Sequence, residues 1–120
     1  MTLAIRIVAC LALLGLSFPG PALAHGLLVQ TVPAADVAVA PPPTEISLKF
    51  NENIEARFSG INLLGPDGAP VATGEITVDE KNMVAPVLGS LVPGVYQVDW
   101  HVLSTDGHKV KGSYRFEVKP

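Results

Sequence analysis

Cysteine is almost missing from this sequence: Cys10 is the single one in 120 residues. Charge is equally scarce around it, because Arg6 is the one charged residue before His25. Arg6 is followed by the apolar run Ile7 to Leu16, then by the breakers Pro19, Gly20 and Pro21, then by Ala22-Leu23-Ala24. That charged, apolar and small-residue order is the pattern of a secretory signal peptide. The uninterrupted apolar stretch is short against the roughly 20 residues that a bilayer requires, which argues against a retained anchor. Cleavage after Ala24 is therefore expected, dividing the chain into a signal peptide, residues 1–24, and one domain, residues 25–120.

Cleavage turns these scarcities into exclusions. With Cys10 removed, residues 25–120 hold no thiol, which rules out a disulfide, a thiolate nucleophile and a thiolate metal site. Loss of Arg6 lowers Lys plus Arg from 8 to 7 against 11 acids, a net charge of −4. An acidic domain with no basic run is unsuited to nucleic acid. Met83 is the one methionine past the signal peptide, and one thioether cannot build a soft metal site, so packing inside a strand is its expected role. No later segment is long and apolar enough to span a membrane, and a processed product free in the export compartment is expected. Its length suffices for one core without staples.

What is present has period two. Ile46, Leu48 and Phe50 alternate with Glu45, Ser47 and Lys49; Tyr96, Val98, Trp100 and Val102 alternate with Gln97, Asp99 and His101; Tyr114, Phe116 and Val118 alternate with Arg115, Glu117 and Lys119. Such alternation marks strands with one buried and one wet face. Residues 27–32, 60–64, 74–78 and 83–88 are weaker strand candidates. Between them stand turn signals at Pro41-Pro42-Pro43, Pro66-Asp67-Gly68, Asp79 to Asn82, Pro93-Gly94 and Asp106-Gly107. About seven short strands at this spacing predict an antiparallel sandwich or barrel. Glu52 to Phe58 is the one stretch suited to a helical turn, and the run from Pro33 to Pro43 reads as a connection.

Chemistry rests on three histidines, His25, His101 and His108. His25 would open the processed chain, where its α-amine and ring Nδ1 can close a chelate ring on one metal. The amine titrates near 7.7–8.0, so the metal must displace a proton near neutrality, which copper(II), at the top of the divalent series, does readily. The plainer reading is that any cut must leave some residue first. In Asp106-Gly107-His108, a freely rotating glycine separates a carboxylate from an imidazole that could face one ion. Equally, Asp-Gly is a favoured pair for a tight turn, and His108 is then an exposed loop residue. Two nitrogens from His25, one from His108 and an oxygen from Asp106 would form a tetragonal N,O set. His101 follows core-facing Trp100 and is expected on the outer face as a surface histidine. Glu52, in Asn51-Glu52-Asn53 just past a strand, is either an acid beside the metal or a solvated loop acid.

Taken together, His25 behind a signal peptide, Pro33, Phe50-Asn51-Glu52-Asn53, the strand Gly94 to Trp100, and Ser104-Thr105-Asp106-Gly107-His108 followed by Gly112 and Phe116 resemble the CopC copper-resistance proteins of the bacterial periplasm. The resemblance covers essentially all of residues 25–120. It implies an Ig-like Greek-key antiparallel β-sandwich and a copper(II) site made by His25, Asp106 and His108, with Glu52 as an outer ligand or hydrogen-bond partner. Some members also bind copper(I) through a methionine-rich stretch; here the matching region holds Met83 alone, so the chain is similar to members with the copper(II) site only. Where the family often has arginine, this sequence has His101.

The expected function is thus copper(II) sequestration or delivery for copper homeostasis and resistance, by a periplasmic monomer that is not an enzyme and that passes copper to an inner-membrane importer. A copper oxygenase with an N-terminal histidine brace is one alternative. Small size and an Asp106 oxygen in a position that oxygen chemistry needs open weigh against it. An Ig-like structural module with incidental histidines is the other.

Overall fold

The computed structural model describes residues 27–120, so Met1 to Ala24, the expected cleavage point and His25 lie outside the described residues. The strands are β1 (Leu28–Val32), β2 (Ala38–Val39), β3 (Glu45–Phe50), β4 (Gly60–Leu64), β5 (Pro70–Val71), β6 (Thr77–Asp79), β7 (Asn82–Pro86), β8 (Gly94–Leu103) and β9 (Lys109–Val118). Ala56–Phe58 forms one turn of 3-10 helix, within the stretch where sequence allowed a helical turn. No described helix is long and apolar enough to cross a membrane. β3, β8 and β9 are the strands expected from alternation, β1, β4, β6 and β7 overlap the four weaker candidates, and β2 and β5 are two-residue additions at sheet edges.

Alternation works because side chains on a strand point to opposite faces. Ile46, Leu48 and Phe50 are fully buried while Glu45 and Lys49 are exposed, and β8 repeats this with Tyr96, Val98, Trp100 and Val102. The two sheets are ordered β1-β3-β7-β6 and β2-β9-β8-β4-β5. Sequence neighbours β3 and β4, β5 and β6, and β7 and β8 therefore lie in opposite sheets, the Greek-key order of an Ig-like sandwich. Between the sheets Phe50 meets Trp100 edge-on at 5.4 Å, and within the second sheet the paired Tyr96 and Phe116 stack at 5.6 Å on its core face. Each such buried side chain contributes roughly 1.5–3 kcal/mol, so this seam is the main source of stability.

One detail differs from a wholly antiparallel expectation. β2 pairs with β9 in parallel, making the second sheet mixed. The Pro33–Pro43 connection crosses from one sheet to the edge of the other and runs alongside β9. Asp36 N bonds Arg115 O at 2.8 Å, Glu117 N bonds Val37 O at 2.9 Å and Lys119 N bonds Val39 O at 3.0 Å. Proline, which lacks an N–H, is tolerated because this is an edge.

Candidate metal centre

β8 ends at Leu103 with its last core side chain at Val102, and the next residue keeps the buried parity of 96, 98, 100 and 102 although it is polar. Ser104, only 1% exposed, is the one buried polar residue among those described. A hydroxyl buried there needs partners. It finds them in the turn that follows: Ser104 Oγ donates to Asp106 Oδ1 and accepts from His108 N at 3.0 Å. The backbone closes the same turn, with Gly107 N donating to Ser104 O and Ser104 N to His108 O, both at 2.9 Å. Gly107 sits at φ +93°, a left-handed conformation that glycine adopts without strain. Asp106 and His108 are thus brought to one side of the turn, with Nδ1 3.3 Å from Oδ1.

Glu52 arrives from a different part of the chain. The polar stretch after β3 is tied down by three elements. Asn51 N donates to Leu27 O at 2.8 Å, Ile54 N to Glu80 O at 2.9 Å, and Thr105 N donates back to Asn53 O at 2.9 Å. Buried Ile54 also forms a bridge with Ser104. This places Glu52 Oε2 3.8 Å from His108 Nδ1. One atom each from Glu52, Asp106 and His108 lies within 4.8 Å of the others, the one such group of three among the described residues.

The electrostatics favour a cation. The Ser104 hydroxyl foremost, then the Glu52 carboxyl and the His108 ring, hold the Asp106 carboxyl below its ordinary pKa. Asp106 is therefore ionised at neutral pH. Glu52 Oε2 is shut off from solvent and has no hydrogen-bond partner within the described residues. An acceptor in that condition is costly unless something positive meets it. Two ligands bonded at about 2 Å to one ion stand roughly 2.8 Å apart at right angles and 4 Å apart in line. Separations of 3.3 and 3.8 Å fall inside that range. The set is hard oxygen plus imidazole nitrogen, suited to a divalent transition metal.

The structure keeps His101 and Met83 out of this cluster. His101 is exposed on the outer sheet face, its ring packed over Gly60, where an added Cβ would meet Cε1 at 2.6 Å. Met83 is wholly buried in the core. His25 is outside the described residues but stands two residues before Leu27, whose carbonyl is bonded beside Glu52. Ser104 is the residue that reading for ligands passes over. Its signal was a polar residue at core parity two positions before an aspartate.

The fold and cluster define a class: a small Ig-like β-sandwich with a mixed oxygen and nitrogen cluster on the loops at one end. The chain belongs to the CopC family, whose model, described as the CopC domain, matches residues 28–119. It is 42% identical over 113 residues to Protein YobA of Escherichia coli (strain K12), spanning 91% of each chain. It is 40% identical over 110 residues to Copper resistance protein C of Escherichia coli, spanning 82% of this chain and 84% of that one. The crystal structure of CopC from Methylosinus trichosporium OB3b matches with a TM-score of 0.73 at 33% identity, covering 78% of this chain and 93% of that one.

Proposed function

We propose that the protein, processed after Ala24 so that it begins at His25, binds copper(II) in the periplasm and holds it for sequestration or delivery, without catalysis. The observation that carries this reading is the gathering of Glu52, Asp106 and His108 within 4.8 Å. It occurs beside the point where Leu27 O is held by Asn51 N. His25 stands two residues before Leu27, and two residues of chain span at most about 7 Å. His25 then supplies its amine and Nδ1, His108 an imidazole nitrogen and Asp106 an oxygen, with Glu52 as an outer oxygen.

Three nitrogens and an oxygen in a tetragonal array suit copper(II), and the affinity series of divalent ions favours it over its neighbours. The relatives named Copper resistance protein C support copper as the cargo. Met83, the one methionine among the described residues, is wholly buried in the core, which supports copper(II) over copper(I). A monomer that hands copper to an inner-membrane importer completes the reading.

The test is a chelator-competition titration with paramagnetic resonance on the protein beginning at His25. Nanomolar or tighter binding with nitrogen hyperfine structure is expected, and His108→Ala should weaken it at least about tenfold, the scale of losing a metal-site group. Micromolar or weaker binding by the unsubstituted protein would overturn the assignment.

A further inference from the structure

The outer face of the β4–β8–β9 sheet carries a groove of about 570 Å³ whose lining includes Arg57, Phe58, His101, Leu103, Lys109 and Lys111. We propose that this groove docks an acidic, partly apolar segment of a partner polypeptide.

Charge complementarity carries the argument. The chain holds 11 acids, yet no acid lines this groove. Of the seven Lys and Arg after residue 24, Arg57, Lys109 and Lys111 converge here from the 3-10 turn and from β9. Register explains the convergence: His101 pairs with Lys111 and Leu103 with Lys109, so these side chains share one face. Among the described residues, Arg57, Lys109 and Lys111 make no ion pair with an acid. Asp99, the acid next along the same face of β8, already accepts from Gln97 Nε2 and Ser113 Oγ. Cations crowded on one face of an acidic protein repel one another, and an incoming carboxylate relieves that repulsion.

Apolar surface lies among these cations. Phe58 is 57% exposed, its ring 5.7 Å from the Arg57 guanidinium, and the turn that carries it buries none of its own residues. An aromatic set among cations is the composition of a protein-binding patch. Concavity favours a chain over a bilayer, which is engaged by protruding apolar side chains. Leu103 and Lys109 flank the Ser104 to His108 turn, so a docked segment would lie beside the metal cluster. Docking itself is independent of copper; only its value for metal exchange rests on the copper reading.

The test measures fluorescence anisotropy of a labelled peptide of alternating glutamate and leucine, and of its glutamine and leucine counterpart, with metal-free protein beginning at His25. The glutamate peptide should bind at least about tenfold more tightly at low salt, an advantage that shrinks as salt is added. Arg57→Glu with Lys111→Glu should abolish binding, as should the milder Arg57→Gln with Lys111→Gln if the first pair fails to fold. Phe58→Ser should weaken binding about threefold or more, within the range for an interface aromatic. Copper affinity should not change in any of these variants. Equal binding of the two peptides, or binding that survives the paired substitutions, would overturn the proposal. So would capture by phosphatidylglycerol vesicles, or salt-sensitive self-association, without peptide binding.

Discussion

Strand β8 has a buried hydroxyl near each end, and the two ends use it in opposite ways. At the start, Tyr96 Oη donates to Val92 O at 2.6 Å across the corner that leads into the strand. Gly94, at φ +146°, packs against Pro66 there, and Leu91 is buried beneath. That end is closed on itself, a tyrosine corner of the Ig-like kind. Past the finish, Ser104 uses both its donor and its acceptor on the turn that carries Asp106 and His108. Yet the turn leaves an imidazole and an ionised carboxylate facing a Glu52 oxygen that lacks a hydrogen-bond partner within the described residues. A buried hydroxyl can thus end a chain of hydrogen bonds or aim polar groups outward. The end with spare acceptors is the one prepared for a cation.

The largest break in this contrast should come from changing the metal end alone. One alanine placed before His25 converts the amine to an amide and removes a chelating nitrogen. Copper(II) affinity should fall at least about 100-fold, or roughly 2.8 kcal/mol. The melting temperature of the metal-free protein should stay where it was, because the corner and core are untouched. Equal affinity in titration would contradict the amine ligand.

At the corner the converse holds. A Cβ on Gly94 would lie 2.5 Å from Pro66 Cγ, and its φ is one that L side chains rarely adopt. Gly94→Ala should cost about 2 kcal/mol of stability, within the 1–3 typical of a strained backbone position. Denaturant titration would register the loss, while copper affinity at the far end of a ten-residue strand should not move.

Ser104→Ala lies between these cases, since it touches both core and cluster. It removes the strongest influence holding the Asp106 carboxyl low and deprives His108 N of its side-chain acceptor. We expect copper affinity to fall about tenfold, as for other groups that orient metal ligands. Ser104→Thr, which keeps the hydroxyl, should recover most of that loss if the residue acts by positioning. A stability change with no affinity change would confine Ser104 to packing.

How much of the two ends was legible in sequence follows from the range of the interactions. The faces of β3, β8 and β9 could be read because alternation is local: each residue's burial depends on its parity along one strand. The turn at Asp106-Gly107 could be read because glycine's freedom is local too. Glu52 and His108 are 56 residues apart, and their approach depends on Asn51, Ile54 and Thr105 bonding to Leu27, Glu80 and Asn53, which no periodicity encodes. The groove shows the same limit. Arg57 is separated in sequence from Lys109 and Lys111, so an acidic chain with no basic run still acquires a basic face once β8 and β9 pair. The parallel pairing of β2 was hidden because proline-rich connections carry no alternation to reveal it.

The smallest effect should come from the closed end. Tyr96→Phe keeps the stacked ring over Phe116 and deletes one hydrogen bond, leaving Val92 O without its hydroxyl donor. A loss of about 1 kcal/mol is expected, the usual net value of such a bond, with copper affinity unchanged. The pH dependence sharpens the assignment. Burial pushes the Tyr96 phenol above its ordinary pKa, so the folded state holds this proton more tightly than the unfolded chain does. The resulting stability is fully present below about pH 10 and drains away as pH rises beyond it, because only the unfolded chain then releases the proton readily. Tyr114, pushed up to about 12 by burial, adds to the same alkaline decline. Tyr96→Phe should therefore lower stability at neutral pH while making the decline above pH 10 shallower. An unchanged alkaline slope in urea titrations from pH 8 to 11 would mean that the Tyr96 hydroxyl does not close this end of β8.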